Sequence, residues 1–292
     1  MKIWYNQEYV APEYGFDTTR KAEAIAVSLE TDPIDGVSIV DPSAHCTMAI
    51  DGIERLHDPE YVEALCTGEP RHLAESNGFN WDPGIWDMAV NSTAGTLAAT
   101  ETAIEHNTVS GSLSSGLHHA GYDHGAGYCT VNGLAIAAHH ALKLVSGTVL
   151  ILDFDAHCGG GTYELIAGEP RIVQHDLSVS SVDSFKPVAP HSTRVLSACD
   201  DFLYADAFTA MLDVAAEVPD VSFVLYNAGM DPHGYCSAPV LAARERMVAQ
   251  WLTERKLPAA FVLAGGYIGH SLTMDGLVAL HRHTIAAFAD VA

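Results

Sequence analysis

Thr148-Val149-Leu150-Ile151-Leu152 runs directly into Asp153-Phe154-Asp155-Ala156-His157. Five residues with no charge, two of them β-branched aliphatics, read as a strand buried on both faces. The run ends at three polar side chains that can bind a metal. Side chains alternate along a strand, so Asp153, Asp155 and His157 share one side. In parallel α/β sheets, ligands bind beyond the C-terminal ends of the strands. Two carboxylates and an imidazole there suit zinc or a similar ion. A polar strand end with a capping Asp would give the same letters, so the rest of the chain has to decide.

Other apolar runs predict strands at Lys2–Tyr5, Gly36–Val40, Thr148–Phe154, Arg171–Gln174, Ser222–Asn227 and Ala259–Leu263. Helical patterns cover Thr18–Leu29, Pro59–Cys66, Ala89–His106, Val131–Leu144, Tyr204–Ala216, Val240–Thr253 and Ser271–Ala287. Alternation of strand and helix implies a three-layer α/β/α fold around a mostly parallel sheet. The 292 residues contain no repeat and no long Pro/Gly/Ser linker, so one domain spanning 1–292 is expected.

Three strands lead into polar or Gly-rich segments: 153–161, 227–234 and 264–269. Parallel strands bring those segments to one edge. Asp231 can then join Asp155 and His157 as a third metal ligand, which leaves coordination positions open for water and substrate. Ala264-Gly265-Gly266-Tyr267 adds a close backbone approach and a hydroxyl able to donate to a developing oxyanion. Gly116-Leu117-His118-His119-Ala120, followed by Gly127-Tyr128-Cys129, supplies adjacent histidines in a loop, candidates for general acid and base. His139-His140 falls within a predicted helix and reads as an ordinary pair.

Composition narrows the classes. Formal charge is −23, from 14 Lys+Arg against 37 Asp+Glu, which argues against nucleic-acid binding. The acidity fits a solvated surface suited to a salty cytoplasm better than a field for cationic substrates. No apolar run reaches the length of a membrane span, and Met1–Asn6 does not read as a signal peptide; a cytoplasmic location without membrane attachment is expected. Six scattered cysteines with no CxxC pair exclude a Cys-rich zinc knot and make a disulfide framework an unfavoured reading. Cys158, beside His157, reads as a small buried filler.

The segments LHHAGYDHGAGYCTVNGLAIAA, LILDFDAHCGGGT, NAGMDPH and LAGGY, between Leu117 and Tyr267, resemble those of the histone deacetylase superfamily and occur in its order. That superfamily includes bacterial acetylpolyamine amidohydrolases and histone-deacetylase-like amidohydrolases. HDPEYVEAL at His57–Leu65 is a weaker match to a family helix. The resemblance implies an arginase-deacetylase fold and zinc-dependent removal of an acetyl or other acyl group from an amine. It implies one Zn2+ per chain on Asp155, His157 and Asp231, with His118 and His119 as the catalytic pair. Asp153 would orient His118, and Tyr267 would serve the transition state. Gly127, Tyr128, Gly265 and Gly266 would contact an acylated lysine or small-molecule amine. A structural monovalent cation such as K+, near the backbone of Asp153, Asp155 and His157, is also implied.

One departure bears on mechanism. The family usually has HHGNG or HHGDG after the metal-binding Asp, whereas here His157-Cys158-Gly159-Gly160-Gly161 stands. Gly160 occupies the place of the Asp or Asn that supports the second histidine, so His119 is expected to lose that partner unless another group substitutes. A further departure is the segment Ser178–Cys199, which lacks the family's PGTG-type loop and predicts a different, wider rim. A ureohydrolase would need further bridging carboxylates, which Gly159 and the Asp231 region do not supply. A non-catalytic acyl-ligand or metal-binding module of the same fold is the remaining alternative, and Gly160 and Cys158 are its support.

Overall fold

Val149 and Ile151 contribute to one hydrophobic core, Leu150 and Leu152 to another, and all four are fully buried. A strand with two apolar faces needs cover on both, and the computed structural model supplies it. The structure describes residues 1–12, 17–197, 200–269 and 272–292, with side chains from residue 20 onward in the first long helix.

Eight strands form one sheet. They are β1 (Lys2–Trp4), β2 (Ser38–Val40), β3 (Val109–Ser112), β4 (Thr148–Asp153), β5 (Ile172–Ser178), β6 (Ser192–Leu196), β7 (Val221–Gly229) and β8 (Ala259–Ala264). Their order is β2-β1-β3-β8-β7-β4-β5-β6, and every pairing is parallel. Register places Asp153 at the end of β4 opposite Asp176 on β5 and Asn227 on β7. One row across the sheet's C-terminal edge therefore carries three polar side chains.

Helices α1 (Asp17–Thr31), α8 (Asp201–Ala216), α9 (Ala238–Arg255) and α10 (Met274–Ala289) cover one face. Ile25, Phe208, Leu241 and Phe288 there join Leu150, Leu152 and Phe261 in one core. On the other face lie α2 (Cys46–Leu56), α3 (Pro59–Thr67), the short α4 (Arg71–Ala74), α5 (Gly84–His106), α6 (Gly133–Ala141) and α7 (Gly160–Ile166). Ile53, Tyr61, Leu97 and Ile136 from these helices meet Val149, Ile151 and Phe223. The three-layer α/β/α expectation holds, as the arginase-deacetylase fold requires.

Local sequence explains the ends of several elements. Asp58 accepts the Glu60 N–H at 2.8 Å, Pro59 opens α3, and Gly68 closes it in the left-handed region. Asn132 caps α6 by accepting the Ala135 N–H at 3.0 Å. The six expected strands are present with shifted ends, but β3 and β6 were not expected. β3 reads Val-Ser-Gly-Ser and has no apolar run. Its Ser110 hydroxyl is buried by accepting from Trp4 Nε1 and donating to the Lys2 carbonyl. The helices α2, α4 and α7 were also additions. The expected helix over 271–287 is found at Met274–Ala289, and Ser271 lies outside the described residues.

Among the described residues, no disulfide joins Cys46, Cys66, Cys129, Cys158 and Cys236 to one another, and Cys158 is fully buried as expected; Cys199 lies outside them. No helix there is long and apolar enough to cross a membrane.

Candidate active site

The strand ends converge. Asp155 and His157 follow β4, and Asp231 follows β7. One donor atom from each lies within 4.8 Å of the others, and this is the single such group among the described residues. His157 Nδ1 stands 3.2 Å from Asp155 Oδ1 and 3.2 Å from Asp231 Oδ2. Hydrogen bonds to Asp155 and then Asp231 lift the His157 imidazole to about 10. Burial opposes the charge on Asp155, but a hydrogen bond from His157 and the charges of His118 and His157 hold it below the usual carboxylate range. Burial, with the charge of Asp155 second, raises Asp231. Two buried carboxylates pressed together around one imidazole are a donor set that a divalent cation stabilises, and its make-up suits zinc.

Buried links support these strand ends from behind. Arg244 on α9 donates from Nη1 to the Phe154 carbonyl at 2.8 Å and from Nη2 to the Gly229 carbonyl at 2.6 Å. Its own charge is matched by Glu245 at 2.7 Å, and both side chains are fully buried. One guanidinium thus ties the chain beside Asp155 to the chain two residues before Asp231.

The loop after β3 delivers the histidine pair. Leu117 has φ 57°, and the turn brings the rings of His118 and His119 to a centroid distance of 4.0 Å. His118 Nδ1 donates to Asp153 Oδ2 at 2.7 Å, and Asp153 Oδ1 accepts from Asn227 Nδ2 at 2.7 Å. Asp153 thus links His118 to Asn227. Burial and the charge of Asp153 push the neighbouring Asp176 well above its ordinary value.

For His119, another group substitutes: its Nδ1 lies 2.8 Å from Asp183 Oδ2. Asp183 comes from the loop between β5 and β6, more than twenty residues beyond Gly160. The two imidazoles titrate apart. Burial opposes charge on His118, but the charge of Asp153, its hydrogen bond and the charge of Asp155 raise it to about 10. Burial and the neighbouring charge of His118 lower His119, against the pull of Asp183.

The pocket over this group is lined by Leu117, His118, His119, Gly127, Tyr128, Asp155, His157, Asp231, Gly265 and Tyr267. Tyr128 and Tyr267 stand at the mouth with ring centroids 6.5 Å apart, and Phe79 supports Tyr128 at 5.2 Å. Burial, then Asp231 and Asp155, raise the Tyr267 phenol, so it stays a hydrogen-bond donor. Gly266 donates its N–H to Asp231 Oδ1. Gly265 has φ 57°, and a Cβ there would collide with the Asp231 carboxylate, so a side chain at 265 would dislodge a candidate ligand.

Sequence reading missed four contributors: Lys21, Phe79, Asp183 and Asn227. Lys21 on α1 is fully buried and donates from Nζ to the Gly265 carbonyl at 2.8 Å and to Ser115 Oγ at 3.0 Å. Burial lowers its ammonium to about 8, while the charges of Asp231 and Asp155 favour the protonated form. His281 Nε2 lies 3.3 Å from the same Gly265 oxygen. Nothing local marks Lys21, whose role depends on a carbonyl 244 positions away. Asn227 was within reach, since it opens the Asn227–Gly234 segment on the ligand-bearing strand.

Comparison with known proteins shows the family. A family model described as the histone deacetylase domain matches residues 16–276. The chain belongs to the histone deacetylase family. It is 29% identical over 227 residues to an uncharacterized protein of Picosynechococcus, covering 74% of this chain and 75% of that one. It is 29% identical over 189 residues to histone deacetylase 2 of Arabidopsis thaliana, covering 61% of this chain and 49% of the relative. It is 34% identical over 84 residues to the acetylpolyamine amidohydrolase of Mycoplana ramosa, covering 28% of this chain and 25% of the relative. The chain thus spans about half, or less, of the named deacetylases it matches here.

Proposed function

We propose that residues 1–292 form one catalytic domain that hydrolyses the amide of an acylated amine, such as acetyl-lysine or an acetylated polyamine, with one bound Zn2+. The observation that carries this reading is the convergence, in one pocket, of Asp155, His157 and Asp231 with two carboxylate-backed histidines and Tyr267.

Asp155, His157 and Asp231 would hold the ion, which supplies Lewis-acid polarisation of the acyl carbonyl and acidification of a water. Each histidine commits Nδ1 to a carboxylate, which leaves Nε2 for proton transfer. The histidine pair takes the proton of the attacking water and gives a proton to the departing amine. The Tyr267 hydroxyl donates to the oxygen on which negative charge builds. Tyr128 and Tyr267 form aromatic walls for an aliphatic chain entering the mouth. Gly127, Gly265 and Gly266 keep the wall behind it close to the backbone.

The binding-module alternative drew its support from Gly160 and Cys158, and the Asp183–His119 contact weakens the part that rests on Gly160. The monovalent cation implied by the family resemblance is a separate expectation, checked by whether potassium raises the melting temperature. The test of function is acetate release from an acetyl-lysine peptide and from acetylputrescine, side by side, with zinc and with chelator. Chelator-sensitive release is expected, and the faster substrate identifies the class. A zinc-loaded protein that releases no acetate from either would overturn the reading.

A further inference from the structure

We propose that Asp183 is the positioning residue for His119, in the role that Gly160 leaves vacant, and that Gly160 is glycine because Asp183 occupies its space. The role in turnover rests on the proposed amide hydrolysis; the placement does not.

Three independent observations meet at Asp183. First, its Oδ2 is 2.8 Å from His119 Nδ1, the ring nitrogen turned away from the pocket. Second, the Gly161 N–H donates to the same Oδ2 at 3.2 Å, so the carboxylate bridges the histidine loop and the start of α7. Third, a Cβ on Gly160 would collide with Asp183 Oδ1 and lie 2.5 Å from the Asp183 carbonyl oxygen. A side chain at 160 and the carboxylate of Asp183 are mutually exclusive in this geometry.

Asp183 is held in place by its own loop. It has φ 55°, a left-handed conformation that Asp tolerates better than most residues. The preceding residue is tied down by the Cys158 N–H, which donates to the Val182 carbonyl at 3.0 Å. On the following side, Phe185 stacks on Tyr163 at 4.3 Å, and Tyr163 donates to the Lys186 carbonyl at 2.9 Å. The loop between β5 and β6 is thereby fastened before Asp183 to Cys158, just ahead of α7, and after it to Tyr163 on α7 itself. The carboxylate behind His119 thus comes from the loop that follows β5 and not from the metal-bearing loop after β4.

The test is a double-mutant cycle of Asp183→Ala, Gly160→Ala and the pair, with two readouts. In the metal-free protein, proton–nitrogen NMR of labelled histidine reads the His119 Nδ1–H, which a buried bond to carboxylate moves far downfield. That resonance is expected in the parent and lost in all three variants. In the zinc-loaded protein, Asp183→Ala should lower kcat by about ten- to a hundredfold with little change in KM, the usual effect of removing a partner that orients an imidazole. The pair should be no worse than Asp183→Ala alone, because both changes remove one interaction. Persistence of the resonance in Asp183→Ala overturns the placement, whatever the activity. Loss of the resonance with kcat unchanged overturns the role in turnover. A parent with the resonance but no acetate release would sink the reaction and leave the placement standing.

Discussion

The chain holds two adjacent histidine pairs, and their surroundings differ more than their letters. His139 and His140 end α6, where consecutive side chains point about 100° apart. His139 therefore reaches the Leu165 carbonyl at 3.0 Å while His140 reaches Glu101 at 2.9 Å. His118 and His119 lie in a loop at the C-terminal edge of the sheet. Their rings approach to 4.0 Å, both are buried, and each holds its own carboxylate. A histidine pair alone is therefore a poor signal of chemistry. A loop that defeats helical splay, next to ligand-bearing strand ends, is a good one.

The largest expected effect removes what only the loop pair can serve. Asp155→Ala or His157→Ala should abolish zinc binding and reduce acetate release to background, read by metal analysis and a coupled acetate assay. His139→Ala with His140→Ala should leave both at parent levels. Equal losses in the two sets would erase the distinction between the pairs.

Within the loop pair the effect should be graded. His119→Ala or His118→Ala should lower kcat by about a hundred- to ten-thousandfold with metal content retained, as loss of a general acid or base does. If zinc is lost along with turnover, the histidines are structural supports and the comparison collapses to one of burial.

Tyr267 stands across the pocket from the histidine pair. Tyr267→Phe removes one donor from a pocket that otherwise keeps its shape, and oxyanion donors of this type are worth about 3–4 kcal/mol. Turnover should fall about a hundredfold or more, with binding of a non-hydrolysable acyl-lysine analogue nearly unchanged. Near-parent turnover at saturating zinc would remove Tyr267 from the proposed chemistry.

These side chains were legible to very different degrees. Asp155, His157 and Asp231 could be read because parallel strands must bring their C-terminal ends to one edge, so a polar residue after each apolar run is already located in space. His118 and His119 could be read because Gly116 and the following Gly-rich segment mark a loop. Asp183 and Lys21 could not, since each is defined by a partner in a distant segment. The fold shows the same division. β4, β7 and β8 declare themselves by aliphatic content. β3 hides because Ser110 and Ser112 are buried through hydrogen bonds to Trp4 and Tyr9, and not through apolar character. Gly160 misled for a related reason: the loss of a side chain at one position was visible, and the gain of a carboxylate from another loop was not.

The smallest effect concerns a third kind of histidine, one that needs to stay neutral. His57 Nδ1 donates to the Gly121 carbonyl at 2.8 Å, and its Nε2 accepts the Asn132 N–H at 3.1 Å. Asn132 in turn donates to the His118 and Ala120 carbonyls at 3.3 and 3.0 Å, so His57 holds the far end of the histidine loop. Burial lowers its imidazole from 6.5 to about 4. The unfolded chain therefore binds the proton first as pH falls, and stability is lost between about 6.5 and 4, unlike the carboxylate-backed His118, which favours charge. The slope from one such group approaches about 1.4 kcal/mol per pH unit within that window. His57→Gln should be less stable than the parent at pH 7, and the gap should narrow as urea unfolding is repeated towards pH 4.5. A gap that stays constant or widens would mean that His57 gains its proton without cost, and that its role at the loop is not the neutral one its two hydrogen bonds require.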